Sequence, residues 1–208
     1  MSEPATAEDT ALGLLSRPGF AKLLAYRIFA MLSYQVVAVT VGWHIYEVTR
    51  NPFSLGLVGL AEVLPFFCVA PFAGYLVDHL PRRRLGMVAC SGLIATALVL
   101  TSVATGWLPF EGVWPIYAAI ALTGMVRAFL SPIYNALFAR VLARDQFARG
   151  AGLGAVVFQA GMVAGPALGG VLVGFGGKGL SYAVATAFAL VAMACLATLK
   201  VEEPVHTG

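Results

Sequence analysis

Ten acidic and thirteen basic side chains are spread over 208 residues, and a few stand where an ionised group is costly. Glu62 and Arg127 both fall inside long apolar runs, where a charge at the centre of a lipid-solvated helix costs about 2.5–3.5 kcal/mol. Glu62 sits roughly 10 Å into its run at 1.5 Å per residue. The surrounding Leu, Val and Phe, at roughly 0.3–0.6 kcal/mol each, offset that cost. A carboxylate held there can carry a proton; the plainer alternative is a glutamate near the surface that reaches water through its own side chain. Arg127, near the middle of another run, calls for a cavity, a carboxylate or an anionic solute. Its plainer role is structural, against carbonyls or a neighbouring helix. Tyr134 and Asn135 follow two turns later on roughly the same face, and Arg27, Tyr34 and Gln35 form a similar stripe in the first run. Arg27 lies near enough to the end of its run to snorkel toward the headgroups. His44 is expected at the opposite headgroups, and Gln159 as a hydrogen-bonding contact between helices.

Hydrolytic chemistry finds no constellation. His44, His79 and His206 fall at the borders of the apolar runs or outside them, and no serine–histidine pair stands out. Asp9, Asp78 and Asp145 are too dispersed for a metal-bound phosphate site. Cys68, Cys90 and Cys195 are widely spaced within apolar runs, which offers neither a disulfide framework nor metal-ligand spacing. The expectation is a protein without enzymatic activity, metal or cofactor.

The elements that must position these groups follow from composition. The chain is 60% hydrophobic and 11% charged, with a mean hydropathy of +0.86, far from the usual quarter of charged residues in soluble domains. About 20 apolar residues cross a bilayer core as a helix. Six such stretches are expected, at residues 22–46, 55–77, 85–104, 114–138, 151–175 and 180–199. The fold class is therefore an all-α integral membrane protein, a six-transmembrane-helix bundle over residues 20–199. Residues 1–19 and 200–208 form flanking tails.

Loop charge sets the orientation. With the N-terminus inside, the cytoplasmic side collects Arg17, Lys22, Arg27, Arg82, Arg83, Arg84, Arg140, Arg144, Arg149 and Lys200. The far side holds Arg50 and Lys178, as the positive-inside rule requires. Both tails are expected in the cytoplasm, and the acidic start of the chain lacks the features of a cleaved signal. The net charge of +3 reflects this bias. A nucleic-acid partner would need a clustered basic face instead.

Two strings of residues carry more. Gly74 is followed one helical turn later by Asp78, then His79, Pro81 and the triplet Arg82, Arg83, Arg84. The segment resembles motif A of the major facilitator superfamily, the loop between its second and third transmembrane helices. Members usually carry Arg or Lys at the position of His79 and Gly at that of Pro81. The fifth stretch carries Gly161, Gly165, Pro166, Gly169 and Gly170. Glycines at every fourth residue admit a close helix, and Pro166 removes one backbone donor and is expected to bend the helix. This G-x-x-x-G-P-x-x-G-G string resembles motif C, found in exporters and proton antiporters of the same superfamily. Trp43–Tyr46, the segment from Asn51 to Gly56, and Gly124–Ala136 add fainter echoes of its drug and siderophore exporter branch.

The resemblance implies one six-helix half of a major facilitator fold, with Arg127 on a cavity-lining helix and Asp78 latching the cytoplasmic side against helix ends of the opposite half. A helix N-cap is the alternative for Asp78. It further implies proton-coupled export of a small amphipathic organic solute, in a bacterial-type cytoplasmic membrane. Such carriers rock two halves about a midplane site, so a second six-helix half is expected as a partner. The expectation is a fragment or split half, a homodimer joined through unpartnered glycine faces, or a remnant that no longer transports. A non-transporting assembly or regulatory partner of another carrier is the rival reading.

Overall fold

The computed structural model describes residues 11–107 and 112–199. The expected tails at 1–10 and 200–208, with Asp9, Lys200 and His206, lie outside the described residues. A short α1 (Ala11–Leu15) leads into α2 (Pro18–Thr49), α3 (Pro52–His79), α4 (Arg82–Ala104), α5 (Trp114–Val141) and α6 (Phe147–Ala197). A 3-10 turn, Arg144–Gln146, precedes α6, and no strand occurs among the described residues. The helices from α2 onward are long and apolar enough to cross a membrane.

Local chemistry explains the ends. Pro18, Pro52 and Pro115 stand in the first turns of α2, α3 and α5, where the missing N–H costs nothing. Arg50 closes α2 in the left-handed region at φ 51°, and the Asn51 side chain then accepts a bond from the Phe53 amide at 3.0 Å. The α2–α3 connection is thereby reduced to two residues.

The last two apolar stretches are two helices, residues 147–176 and 178–197, together α6, joined directly at Gly177, whose φ of 71° and ψ of −177° are not helical. Only glycine adopts that conformation readily. The dihedrals stay helical through Pro166, and the interruption at Gly177 falls between the stretches expected at 151–175 and 180–199. Contacts show that the chain reverses there. Gly161, Gly165 and Gly169 face Met31, Gln35 and Val39 in turn, so residues 147–176 run parallel to α2. Lys178 then pairs with Glu47 at 2.7 Å, and Thr198 receives a bond from Lys22 at 3.0 Å, so residues 178–197 run back along it.

The glycine seam accounts for this pairing. A Cβ on Gly161 would lie 2.7 Å from Met31 Sδ, and one on Gly165 would lie 2.5 Å from Gln35 Cβ. Both glycines are buried, so α2 already occupies the face expected to await a partner. That face is closed within this chain, while Gly170 and Gly174 meet nothing within 4 Å. Gly170 thus points away from the seam.

Two apolar clusters fill the bundle. One, with Leu23, Tyr26, Cys90, Ile133, Leu137 and Leu196, lies toward the arginine-bearing end; the other, with Val41, Ile45, Leu100, Ile116 and Tyr182, lies toward the opposite end. The exterior is as apolar as the interior: Phe53, Phe67, Phe72, Val88 and Phe175 all stand exposed. Such a surface requires lipid as its solvent, and the protein is an integral membrane protein.

Candidate functional site

The site begins with a glycine. A side chain at Gly124 in α5 would collide with the Glu62 carbonyl, so α3 and α5 touch backbone to backbone there. That approach carries the Glu62 carboxylate to Arg127, one turn after Gly124, and the two form an ion pair. Arg127 is at the middle of the 28-residue α5, and Glu62 lies about 15 Å along α3 from Pro52. About a third of the Arg127 side chain stays exposed, against 14% of that of Glu62. The guanidinium also lies 4.6 Å from the Tyr34 ring centroid and 6.0 Å from that of Phe66. Such stacking contributes about 0.5–2 kcal/mol, more as water is excluded.

A second crossing repeats the first. The Arg27 guanidinium of α2 lies 3.9 Å from the Tyr134 ring centroid of α5 and 5.1 Å from that of Phe158 in α6. Arg27 and Tyr34 are seven residues apart, as are Arg127 and Tyr134, so each pair shares a helix face. Because α2 and α5 run antiparallel at this contact, each arginine meets the tyrosine of the other helix. Arg27 is therefore held on aromatic rings within the bundle and does not snorkel as its position suggested.

The remaining expected residues divide. Tyr34 joins the Arg127 crossing. Gln35 packs on Gly165 and donates to Met162 Sδ at 3.6 Å, so it serves the α2–α6 seam. Asn135 is exposed and outside both crossings. His44, near the end of α2, is packed inside the bundle: it is 4% exposed, with Nδ1 3.2 Å from the Tyr182 hydroxyl.

The Gly74–Arg84 segment straddles two helices. Asp78 lies in the last turn of α3, exposed and without a hydrogen bond or ion pair among the described residues. The N-cap of α4 is Pro81, so Asp78 caps nothing within this bundle. Gly74 has open space beside it. His79 stacks on Tyr75, with centroids 4.1 Å apart, and its Nδ1 meets the Tyr75 carbonyl at 2.8 Å. Arg83 donates to the Ala197 carbonyl at the end of α6, Arg82 is half-buried, and Arg84 is exposed. Together with Lys22 on Thr198, Arg83 neutralises the carbonyl end of α6.

Sequence reasoning misses Gly124 as the residue that positions Glu62, and Phe66 and Phe158 as aromatic walls. Gly124 is visible one turn before Arg127, but nothing in the sequence tells which helix it admits. Among the described residues no group of three or more His, Cys, Asp and Glu could hold a metal ion.

The sequence profile of the Major Facilitator Superfamily matches residues 23–208. The chain is 28% identical over 185 residues to the probable anion transporter 4, chloroplastic, of Arabidopsis thaliana, covering 83% of this chain and 34% of that protein. It is 22% identical over 156 residues to macrolide efflux protein A of Streptococcus pyogenes, covering 73% of this chain and 38% of that protein. The aligned region spans little more than a third of the length of these curated relatives.

Proposed function

This chain belongs to the Major Facilitator Superfamily, and from that membership we propose that it is one lobe of a secondary carrier, exporting a small amphipathic organic solute in exchange for protons. The observation that carries the reading is the Glu62–Arg127 ion pair, set midway along its helices and partly open to the outside of the lobe. Protonation of Glu62 turns a balanced pair into a lone guanidinium. A change of one charge at that depth alters the cost of exposing the face, and two alternating arrangements of a carrier need such a difference. The motif C-like string Gly161, Gly165, Pro166, Gly169 and Gly170 supports export, as does the macrolide efflux relative.

The partner in this reading is a second six-helix lobe, from a separate chain or from further residues. Carriers of this type rock one lobe against the other around a site between them. Asp78 and Gly74, both open at the arginine-bearing end, suit a latch to helix ends of that lobe, where a carboxylate gains from exposed amides. Asp78→Asn should then shift cysteine labelling toward the inward-open form, and unchanged labelling would remove the latch. The setting is a bacterial-type cytoplasmic membrane, with both tails and the triple-arginine turn inside. Labelling of that turn from the external face would overturn the orientation.

Flux into vesicles, measured with and without a candidate second lobe, tests the whole. With the pair assembled, Glu62→Gln should abolish transport driven by a pH gradient. Transport that keeps its dependence on the gradient in this variant would exclude Glu62 as the coupling group.

A further inference from the structure

We propose that His44 is a proton-operated tie at the end of the lobe away from the arginine turn, and that its protonation loosens the reversal of the chain at Gly177. Two polar contacts join α2 to the returning helix, residues 178–197, at that end. His44 Nδ1 lies 3.2 Å from the Tyr182 hydroxyl, and Lys178 Nζ donates to Glu47 Oε2 at 2.7 Å. One helical turn separates His44 from Glu47, and one turn separates Tyr182 from Lys178, so the contacts stack along an antiparallel pair. Both grip the first turns after Gly177, the residue at which the backbone leaves helical geometry.

The two ties differ in their surroundings. The Glu47 and Lys178 side chains are 45% and 25% exposed, whereas His44 is 4% exposed and Tyr182 fully buried, in the apolar cluster of Val41, Ile45, Leu100 and Ile116. A neutral imidazole suits that place, but an imidazolium there needs a counter-ion or water. Tyr182 and Lys178 face it from the returning helix, and Glu47 and then Arg50 from the end of α2, where Tyr46 is exposed. Among the described residues α3, α4 and α5 bring no charged side chain to this end, and Tyr117 of α5 is engaged with the Ser54 carbonyl at 3.3 Å. Glu47 is thus the carboxylate that can answer a charge on His44, and Lys178 already holds it. Once His44 is protonated, Glu47 swings inward from Lys178 or the ring leaves Tyr182 for water. Each route undoes one of the two ties.

Only the side of the membrane whose pH is sensed rests on the carrier reading. The test needs neither a second lobe nor a gradient, so loss of coupled flux in Glu62→Gln and failure of this tie are separate results. Amide hydrogen exchange of the full chain in detergent is followed by mass spectrometry from about pH 8 to about pH 4, with labelling times scaled to the intrinsic rate. Protection of residues 176–184 should fall at least fivefold on acidification, while that of residues 86–98 in α4 holds. His44→Gln, which keeps a hydrogen-bonding group for Tyr182, should retain its protection over the whole range. Glu47→Gln, which frees Lys178 at any pH, should be loosened already at the alkaline end. A second measurement leaves His44 in place: the chain has three histidines, so with His79→Gln and His206→Gln the remaining imidazole signal in proton magnetic resonance is that of His44. Its titration should share its midpoint with the step in exchange. The proposal is overturned if protection does not change with pH, if the fall persists in folded His44→Gln, which would assign it to Glu47, or if the two midpoints do not coincide.

Discussion

Arg127 and Arg27 cross the same two helices, each over a tyrosine seven residues beyond the other, at 4.6 Å and 3.9 Å from the ring centroids. Around Arg127 a third helix comes in, because Gly124 lets α3 touch α5 and deliver Glu62. Around Arg27 the third helix is α6, which brings Gly154 and Phe158 and no carboxylate. One crossing is electrically closed and the other open, although the residues that make the crossing itself are the same. The difference teaches that the arginine and tyrosine set only the scaffold, while the helix packed against them decides whether the charge is balanced from inside or from outside. An inverted three-helix repeat within each lobe, as in carriers of this superfamily, makes such a reciprocal pair natural.

The largest effect should come from undoing what closes the first crossing. Gly124→Val drives a side chain into the Glu62 carbonyl, and overpacking at a backbone contact costs about 3 kcal/mol, the upper end of its usual range. The unfolding temperature in detergent should fall sharply; an unchanged value would mean that the α3–α5 approach does not depend on the glycine.

Removing the arginines themselves sharpens the contrast. Arg127→Gln strands a Glu62 carboxylate whose side chain is only 14% exposed, at a cost of about 2–3 kcal/mol, below the fully buried case because the pair is partly open. Arg27→Gln gives up only stacking, about 0.5–1 kcal/mol. The double variant Glu62→Gln with Arg127→Gln should recover most of the larger loss. Equal losses at the two arginines in a denaturation series would erase the distinction. The smallest effect belongs to Tyr34→Phe, which keeps the ring beneath Arg127 and should change stability by less than about 0.5 kcal/mol. A larger change would show that the hydroxyl of Tyr34 matters to the closed crossing.

Much of this architecture is legible in the amino-acid sequence. Apolar runs and their punctuation mark the helices, because lipid demands about twenty apolar residues for each crossing. The Arg27–Tyr34 and Arg127–Tyr134 stripes are readable too, since helical periodicity fixes which residues share a face. What each face meets is not readable. The seam of Gly161, Gly165 and Gly169 announces a close neighbour and leaves its identity open; in the folded bundle that neighbour is α2. Position along a helix also says nothing about direction around it, which is why His44, near an end, is buried on Tyr182. A capping role for Asp78 suggests itself only because an apolar run ends before its helix does: α3 continues to His79.

At the arginine-bearing end, Lys22 of α2 and Arg83 of α4 both hold the final carbonyls of α6, at Thr198 and Ala197. Tension applied to the polypeptide just after Leu199 would therefore load three helices at once, through side chains as well as through the main chain. That corner ties the end of α6 to the beginnings of α2 and α4.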